Sequence, residues 1–228
     1  MLLSAAMNNT LRSVLLVRHA RSTANRDPSV YKVTPDHVIP LADPAADPSA
    51  LAAAAAVAEL RLDPTDLCSW CSTYLRCQQT ERIVLDAGFG DVAERVRRRG
   101  SFLLREQEFG DWDTLDEAEI AARDPVRLAR RKLLDDNFGR FYFRYPGGES
   151  RADVTQRVGI FISKMQRSRY PHHIVFLHGV TQRAFRMHWF DRSPDWFEEE
   201  PNPANASVTL IERDARGRWV DRPLVHGS

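Results

Sequence analysis

The stretch Val14-Leu15-Leu16-Val17-Arg18-His19 constrains the fold of this chain more than any other. Consecutive apolar residues, β-branched at both ends, suit a strand buried on both faces, as in mostly parallel sheets covered by helices. Ligands in such sheets bind beyond the carboxyl ends of the strands. The run therefore carries His19, with the permanent cation Arg18 beside it, to a mouth. A second apolar run, Ile174-Val175-Phe176-Leu177, ends the same way in His178-Gly179, and a helical stretch follows over 181–189.

Between and around these two strands the periodicity alternates helix with strand. Residues 50–62 are rich in alanine and leucine and read as a helix. Residues 68–72 read as a short strand with a helix behind it over 75–87, and 92–104 supplies a further strand. Over 150–167, Val154, Val158, Phe161, Ile162 and Met165 recur at spacings of three and four, the pattern of an amphipathic helix. Residues 208–211 and 219–225 form a closing hairpin. The expected fold is α/β, a three-layer sandwich with a mostly parallel central sheet and helices on both faces. Two segments stand outside this rhythm. Residues 27–49, rich in proline and aspartate, read as a long connection able to fold over the mouth. Residues 112–145, helical and interrupted at Pro125, read as a cap inserted at the active edge.

At 228 residues the chain suits a single domain, enough to bury roughly 70–75% of its unfolded surface. Its 32 basic and 31 acidic residues nearly cancel, so no overall field draws it to nucleic acid or an anionic membrane. The run Arg97-Arg98-Arg99 reads as a solvated strand edge or loop without the aromatic pattern of a nucleic-acid site. Cys68 and Cys71 share a C-x-x-C spacing with no second pair to complete a zinc site, and with Cys77 they read as free thiols of a reducing compartment. The N-terminal residues lack the charged start of a signal peptide, and a cytoplasmic location is expected.

Two further segments place polar residues next to element ends: Ser72-Thr73-Tyr74-Leu75-Arg76 and Leu104-Arg105-Glu106-Gln107-Glu108-Phe109-Gly110. Together with Arg18-His19-Ala20-Arg21-Ser22-Thr23-Ala24-Asn25 and His178-Gly179, they resemble the histidine phosphatase superfamily over residues 13–211. Ala20 stands where that family usually has glycine. The stretch Tyr145-Pro146-Gly147-Gly148-Glu149-Ser150, with the Glu106 segment, is similar to the phosphoglycerate mutase-like, acid-phosphatase-type members of fungi and plants.

The resemblance implies a phosphatase acting on a small phosphorylated metabolite, with no metal and no other cofactor. His19 would be the nucleophile that forms a phosphohistidine. Arg18, Arg76, Asn25, Ser22, His178 and Gly179 would hold the phosphoryl oxygens, the arginines as planar forks, and His178 as a charged or hydrogen-bonding clamp. Glu106, at the family's Leu-x-Glu spacing, would be the general acid, with Glu108 as its local rival. His37 in the long connection is a candidate pocket-lining residue, Asn205 a weaker one, while His173 and His188 read as residues of the fold. A cofactor-dependent phosphoglycerate mutase and a non-catalytic phosphate-binding protein remain alternatives. The residues after Arg105 lack the Glu-x-x-Tyr-Gly-x-Leu-x-Gly pattern of mutases. A homodimer is compatible with the sequence.

Overall fold

In a computed structural model, residues 11–137 and 139–227 are described, and they form one six-stranded sheet with helices on both faces. Its strands and helices, in chain order, are β1 (Ser13–Arg18), α1 (Thr23–Arg26), α2 (Pro48–Glu59), β2 (Leu67–Ser72), α3 (Leu75–Phe89), β3 (Arg97–Ser101), α4 (Glu117–Arg123), α5 (Pro125–Asn137), α6 (Arg151–Gln166), β4 (His172–Leu177), α7 (Gly179–Trp189), α8 (Pro194–Glu199), β5 (Val208–Arg213) and β6 (Trp219–Val225). The sheet order is β3-β2-β4-β1-β5-β6. The first four are mutually parallel, and β5 runs antiparallel to both β1 and β6.

Alternation along β1 explains why it lies inside. Leu15 and Val17 point to one face, where Ile174 and Phe176 of β4 meet Ala50, Ala53 and Val57 of α2 and Ile83 and Val84 of α3. Val14 and Leu16 point to the other, where Trp70, Val175 and Leu177 meet Val154, Val158 and Phe161 of α6 and Phe185 of α7. A strand with both neighbours in the sheet and both faces covered has no use for polar residues. The alanines of α2 are the small side chains that let α3 approach closely: a methyl on Gly88 would meet the Ala54 carbonyl at 3.2 Å.

The sequence-based boundaries shift in three places. Residues 92–104 supply only the short edge strand β3, because a 3-10 turn occupies Gly90–Arg95. The helix expected over 50–62 begins two residues earlier at Pro48, capped by Asp47, whose carboxylate accepts from the amides of Ser49 and Ala50. The connection 27–49 contains two 3-10 turns, Pro28–Lys32 and Asp36–Val38.

The segment around α4 and α5 has its own small apolar cluster of Trp112, Ile120, Leu128 and Phe143. Its two ends meet. The Asp111 amide donates to the Pro146 carbonyl and the Glu149 amide to the Glu108 carbonyl, each at 2.8 Å. The chains cross so tightly that a Cβ on Gly110 would lie 2.1 Å from the Pro146 oxygen, and Gly110 also sits at φ +57, a conformation that glycine adopts freely.

Candidate active site

β1 and β4 are adjacent and parallel, so the residues that follow them emerge side by side. The His19 amide donates to the Leu177 carbonyl at 3.0 Å, and the rings of His19 and His178 meet edge to face with centroids 5.2 Å apart. The order of the sheet, rather than any local motif, creates this pairing.

His19 is 4% exposed. Its Nδ1 lies 2.7 Å from the Ala20 carbonyl, which can only accept, so Nδ1 carries the proton and Nε2 presents its lone pair. Burial first, then the charges of Arg76 and Arg18, holds the imidazole well below its ordinary value of 6.5, favouring the neutral nucleophilic form. Ala20 is accommodated in the loop: its amide donates to Thr80 Oγ1 at 2.9 Å.

His178 is fully buried, and its Nε2 lies 2.9 Å from Ser72 Oγ. Burial, followed by Arg76, His19 and Arg18, again drives it toward the neutral ring. Of the two forms expected for His178, the neutral hydrogen-bonding one is therefore favoured. Gly179 begins α7 directly after it, and a Cβ there would lie 2.9 Å from Asn202 Oδ1.

Arg18 is tethered through Nη1 to the Pro203 carbonyl. Its Nε is buried without a partner, an arrangement left for an acceptor that the protein does not supply. Arg76 is 2% exposed at the start of α3. Its Nη1 donates to both the backbone oxygen and Oδ1 of Asp36 at 2.7 Å, and Nη2 donates to Oδ2 at 3.2 Å.

Asn25 closes the first turn of α1. Its Oδ1 accepts from the amide and hydroxyl of Ser22 at 3.1 and 3.0 Å and from Asn205 Nδ2 at 3.3 Å. With the oxygen so engaged, the amide donor of Asn25 is the end left to face a ligand. Ser22, 1% exposed, acts through this cap. Asn205 also donates to the His19 carbonyl at 3.1 Å.

Glu106 reaches the same region from the loop after β3. Its Oε1 accepts from the Gln107 amide at 3.0 Å, and its Oε2 from the Val180 amide in the first turn of α7 at 3.4 Å. Glu108 lies on the outer wall of the site, where it accepts at 2.9 Å from the hydroxyl of Tyr74, whose ring sits 5.0 Å from that of His178. Two residues to which sequence reasoning gave no role hold this loop. Arg157 of α6 donates to the carbonyls of Leu103 and Glu106 at 2.7 and 3.0 Å, and its Nε and Nη2 grip Glu149 at 2.8 and 2.9 Å. Arg105 adds a bond to Glu149 at 2.6 Å. The signal available was an arginine on the apolar side of an amphipathic helix.

Nothing in the sequence marks Asp36, although its neighbour His37 is a candidate; His37 packs against Tyr74 with ring centroids 6.5 Å apart. His173 is buried and accepts from Trp70 Nε1 at 3.1 Å, and the ring of His188 packs over Gly159, so both serve the fold. Among the described residues no His, Cys, Asp and Glu cluster is arranged to hold a metal ion, the three cysteines are free and buried, and no helix is long and apolar enough to cross a membrane.

The assembly is thus a neutral histidine with one bare nitrogen, beside a second neutral histidine, two arginines, an oriented amide and a carboxylate. Such a set can accept a phosphoryl group and surround its oxygens with donors. The chain is 31% identical over 224 residues to the phosphoglycerate mutase-like protein AT74 of Arabidopsis thaliana, covering 91% of this chain and 67% of that protein. It is 34% identical over 131 residues to the broad-range acid phosphatase DET1 of Saccharomyces cerevisiae, covering 54% of this chain and 36% of the yeast protein. A mycobacterial glucosyl-3-phosphoglycerate phosphatase solved with VO3 shares the fold at a TM-score of 0.66 and 21% identity, over 93% of this chain and 97% of that one. YhfR of Bacillus stearothermophilus shares it at 0.65 and 22%, over 91% and 94%. The model of the histidine phosphatase superfamily (branch 1) matches residues 14–224, reaching into β6, and the chain belongs to that superfamily.

Proposed function

We propose that the protein is a phosphatase that hydrolyses a small phosphate monoester through a phosphohistidine on His19. The observation that carries this reading is the locked tautomer of His19: Nδ1 is bonded to the Ala20 carbonyl, which leaves the Nε2 lone pair on a ring that feels the charges of Arg76 and Arg18 and packs on His178.

The steps follow from the side chains. Nε2 of His19 attacks phosphorus as the ester oxygen departs, and Glu106 supplies the proton that this oxygen takes up. Arg18, Arg76, Asn25 and His178 donate to the three equatorial oxygens as charge redistributes. In the second half, Glu106 takes a proton from water, the oxygen attacks the phosphohistidine, and the N–P bond breaks to release phosphate and restore His19.

Hydrolysis is favoured over mutase chemistry by two features of the outer site. The segment after Arg105 carries Phe109, Gly110 and Trp112 instead of the mutase pattern. Asp36 and Glu108 also bring two carboxylates against Arg76 and Tyr74, and these oppose the carboxylate of a phosphoglycerate. Similarity over 131 residues to a broad-range acid phosphatase supports the same reading. The test is phosphate release across a panel of phosphorylated metabolites with and without 2,3-bisphosphoglycerate. Release that does not need the bisphosphate is expected. Interconversion of phosphoglycerates that depends on it, without net release, would replace the phosphatase by a mutase.

A further inference from the structure

The run Arg97-Arg98-Arg99 is not used by the catalytic site. Arg97 and Arg99 share one face of β3, the edge strand, while Arg98 points the other way and pairs with Asp86 at 3.0 Å. On the first face, β3 is in register with β2 so that Arg99 lies opposite Trp70. Helix α6 covers Trp70 but stops short of the sheet edge, and its last turns bring Lys164 and Arg167 alongside. The link to β4 adds Arg169 and Tyr170.

These residues line a groove of about 470 Å³ whose wall holds five cations, Arg97, Arg99, Lys164, Arg167 and Arg169, and no carboxylate. All five are exposed, and among the described residues none forms an ion pair with an acidic side chain. Arg99 and Lys164 are both placed over the face of the buried Trp70 ring, at 5.3 and 5.4 Å from its centroid. The ring fixes two of the cations without neutralising either. Elsewhere the chain pairs its charges freely: Arg186, for example, engages both Glu200 and Asp221. Unpaired like charges gathered in one concavity repel one another, and an anion relieves that repulsion.

The groove lies at the sheet edge beside α6 and opens near the start of β4; its Arg99 and Trp70 are level with Val175, roughly 10 Å of extended strand before His178, and Arg99 is two strands to the side. We propose that it is a second anion site, distinct from the catalytic pocket, that takes a compact solute carrying adjacent phosphates, such as a short phosphate chain. Several features argue for a compact ligand. The volume falls in the range of small-molecule sites. The cations converge on one concavity instead of forming a stripe, and the Trp70 ring is covered, so it offers no platform for stacking bases.

The probe is inorganic tripolyphosphate, titrated calorimetrically into the whole protein at physiological salt with orthovanadate saturating the catalytic pocket. The variant is the charge reversal Arg97→Glu, Arg99→Glu, Lys164→Glu, and the control reverses three exposed arginines away from the groove and the mouth, Arg61, Arg213 and Arg216. Expected is saturable one-site binding that weakens about tenfold or more in the groove variant and less than about threefold in the control, together with a rise in Tm of the wild type on adding tripolyphosphate. Turnover of an aryl phosphate without tripolyphosphate serves as the folding check and should match wild type in both variants. Equal weakening in the two variants, or no saturable binding to the wild type, would overturn the proposal. So would preference for phosphatidylserine vesicles or oligoadenylate RNA over tripolyphosphate at equal phosphate concentration.

Discussion

Asp36 grips Arg76 with both carboxylate oxygens and its own backbone carbonyl, so the long connection after α1 is fastened to the guanidinium at the floor of the pocket. The contact uses the outer edge of the fork. Nε and the second hydrogen of Nη2 remain on the other edge for phosphoryl oxygens. The carboxylate raises the hold of Arg76 on its proton and shares its charge with whatever binds there. Asp36→Asn removes that sharing while keeping the size of the side chain. Inhibition by inorganic phosphate should tighten about tenfold, a small part of the Coulomb energy of a half-buried pair. A phosphate inhibition constant that stays put or weakens would show that Asp36 does not temper Arg76.

His19→Ala should abolish turnover and the acid-labile labelling of the protein by a phosphorylated substrate, since no other described nucleophile is placed between the arginines. Labelling that persists would move the phosphoryl acceptor elsewhere. EDTA should leave the wild-type rate unchanged, because arginines, histidines and amides handle the charge.

Glu106 and Glu108 are separated by the leaving group. An alkoxide departs poorly without a proton, so Glu106→Gln should slow alkyl phosphates about 100-fold or more, the size of a general-acid contribution. An aryl phosphate, whose phenolate leaves unaided, should lose much less. Glu108→Gln disturbs the bond from Tyr74 and the ion pair with Arg105 and should keep the alkyl-to-aryl ratio of wild type. The opposite pattern would transfer the acid to Glu108.

Acid pH should leave the nucleophile active. His19 and His178 in the folded protein resist protonation, with values below the ordinary 6.5, so the acid limb of kcat/KM should fall well below pH 6.5. Arg76→Met should move it toward 6.5. Stability runs with the same sign. The unfolded chain takes up protons on these imidazoles near 6.5 while the folded chain does not, so stability is full above that value and declines as pH falls through it. An acid limb at or above 6.5 in the wild type would remove the burial argument for His19.

Arg157→Leu should be among the more damaging changes away from the chemistry. It removes two of the four donors to the carboxylate of Glu149, 9% exposed, leaving Arg105 and the Glu108 amide, and it removes the donors to the Glu106 loop. Breaking one side of a buried pair costs at most about 3–5 kcal/mol, so a fall in Tm of up to about 10 °C is expected for a chain of this size. The double change Arg157→Leu, Glu149→Leu should recover part of that loss. No recovery would mean that packing, and not the ion pair, dominates.

The parts of this molecule that were legible in its sequence are those in which neighbours in the chain are neighbours in space. β1 announces itself by Val14 to Val17 and β4 by its own apolar run, and each hands its histidine to the mouth within two residues. The pairing of Asp36 with Arg76 across forty residues of chain leaves no such trace, because a carboxylate in an aperiodic loop looks the same whether it meets solvent or an arginine. The same holds for Glu149, whose value lies in the four donors that converge on it from two separate segments. Edge strand β3 is shorter than the strand expected over 92–104, because Val92 and Ala93 lie in a 3-10 turn that the Val96 amide closes onto the Ala93 carbonyl.

The crossing at Gly110 and Pro146 gives the segment between them an unusual independence. A loop whose two ends are already fastened together presents the same pair of attachment points whatever its length, and lengthening it adds only a slowly growing entropic term. Residues 113–135 are therefore a replaceable module, whereas Phe141, on the return path, is built into the main core. A short linker in place of 113–135 should leave the sheet and Glu106 in register. Evolution and protein engineering are offered the same seam: the substrate's surroundings can be exchanged without touching the groups that handle phosphate.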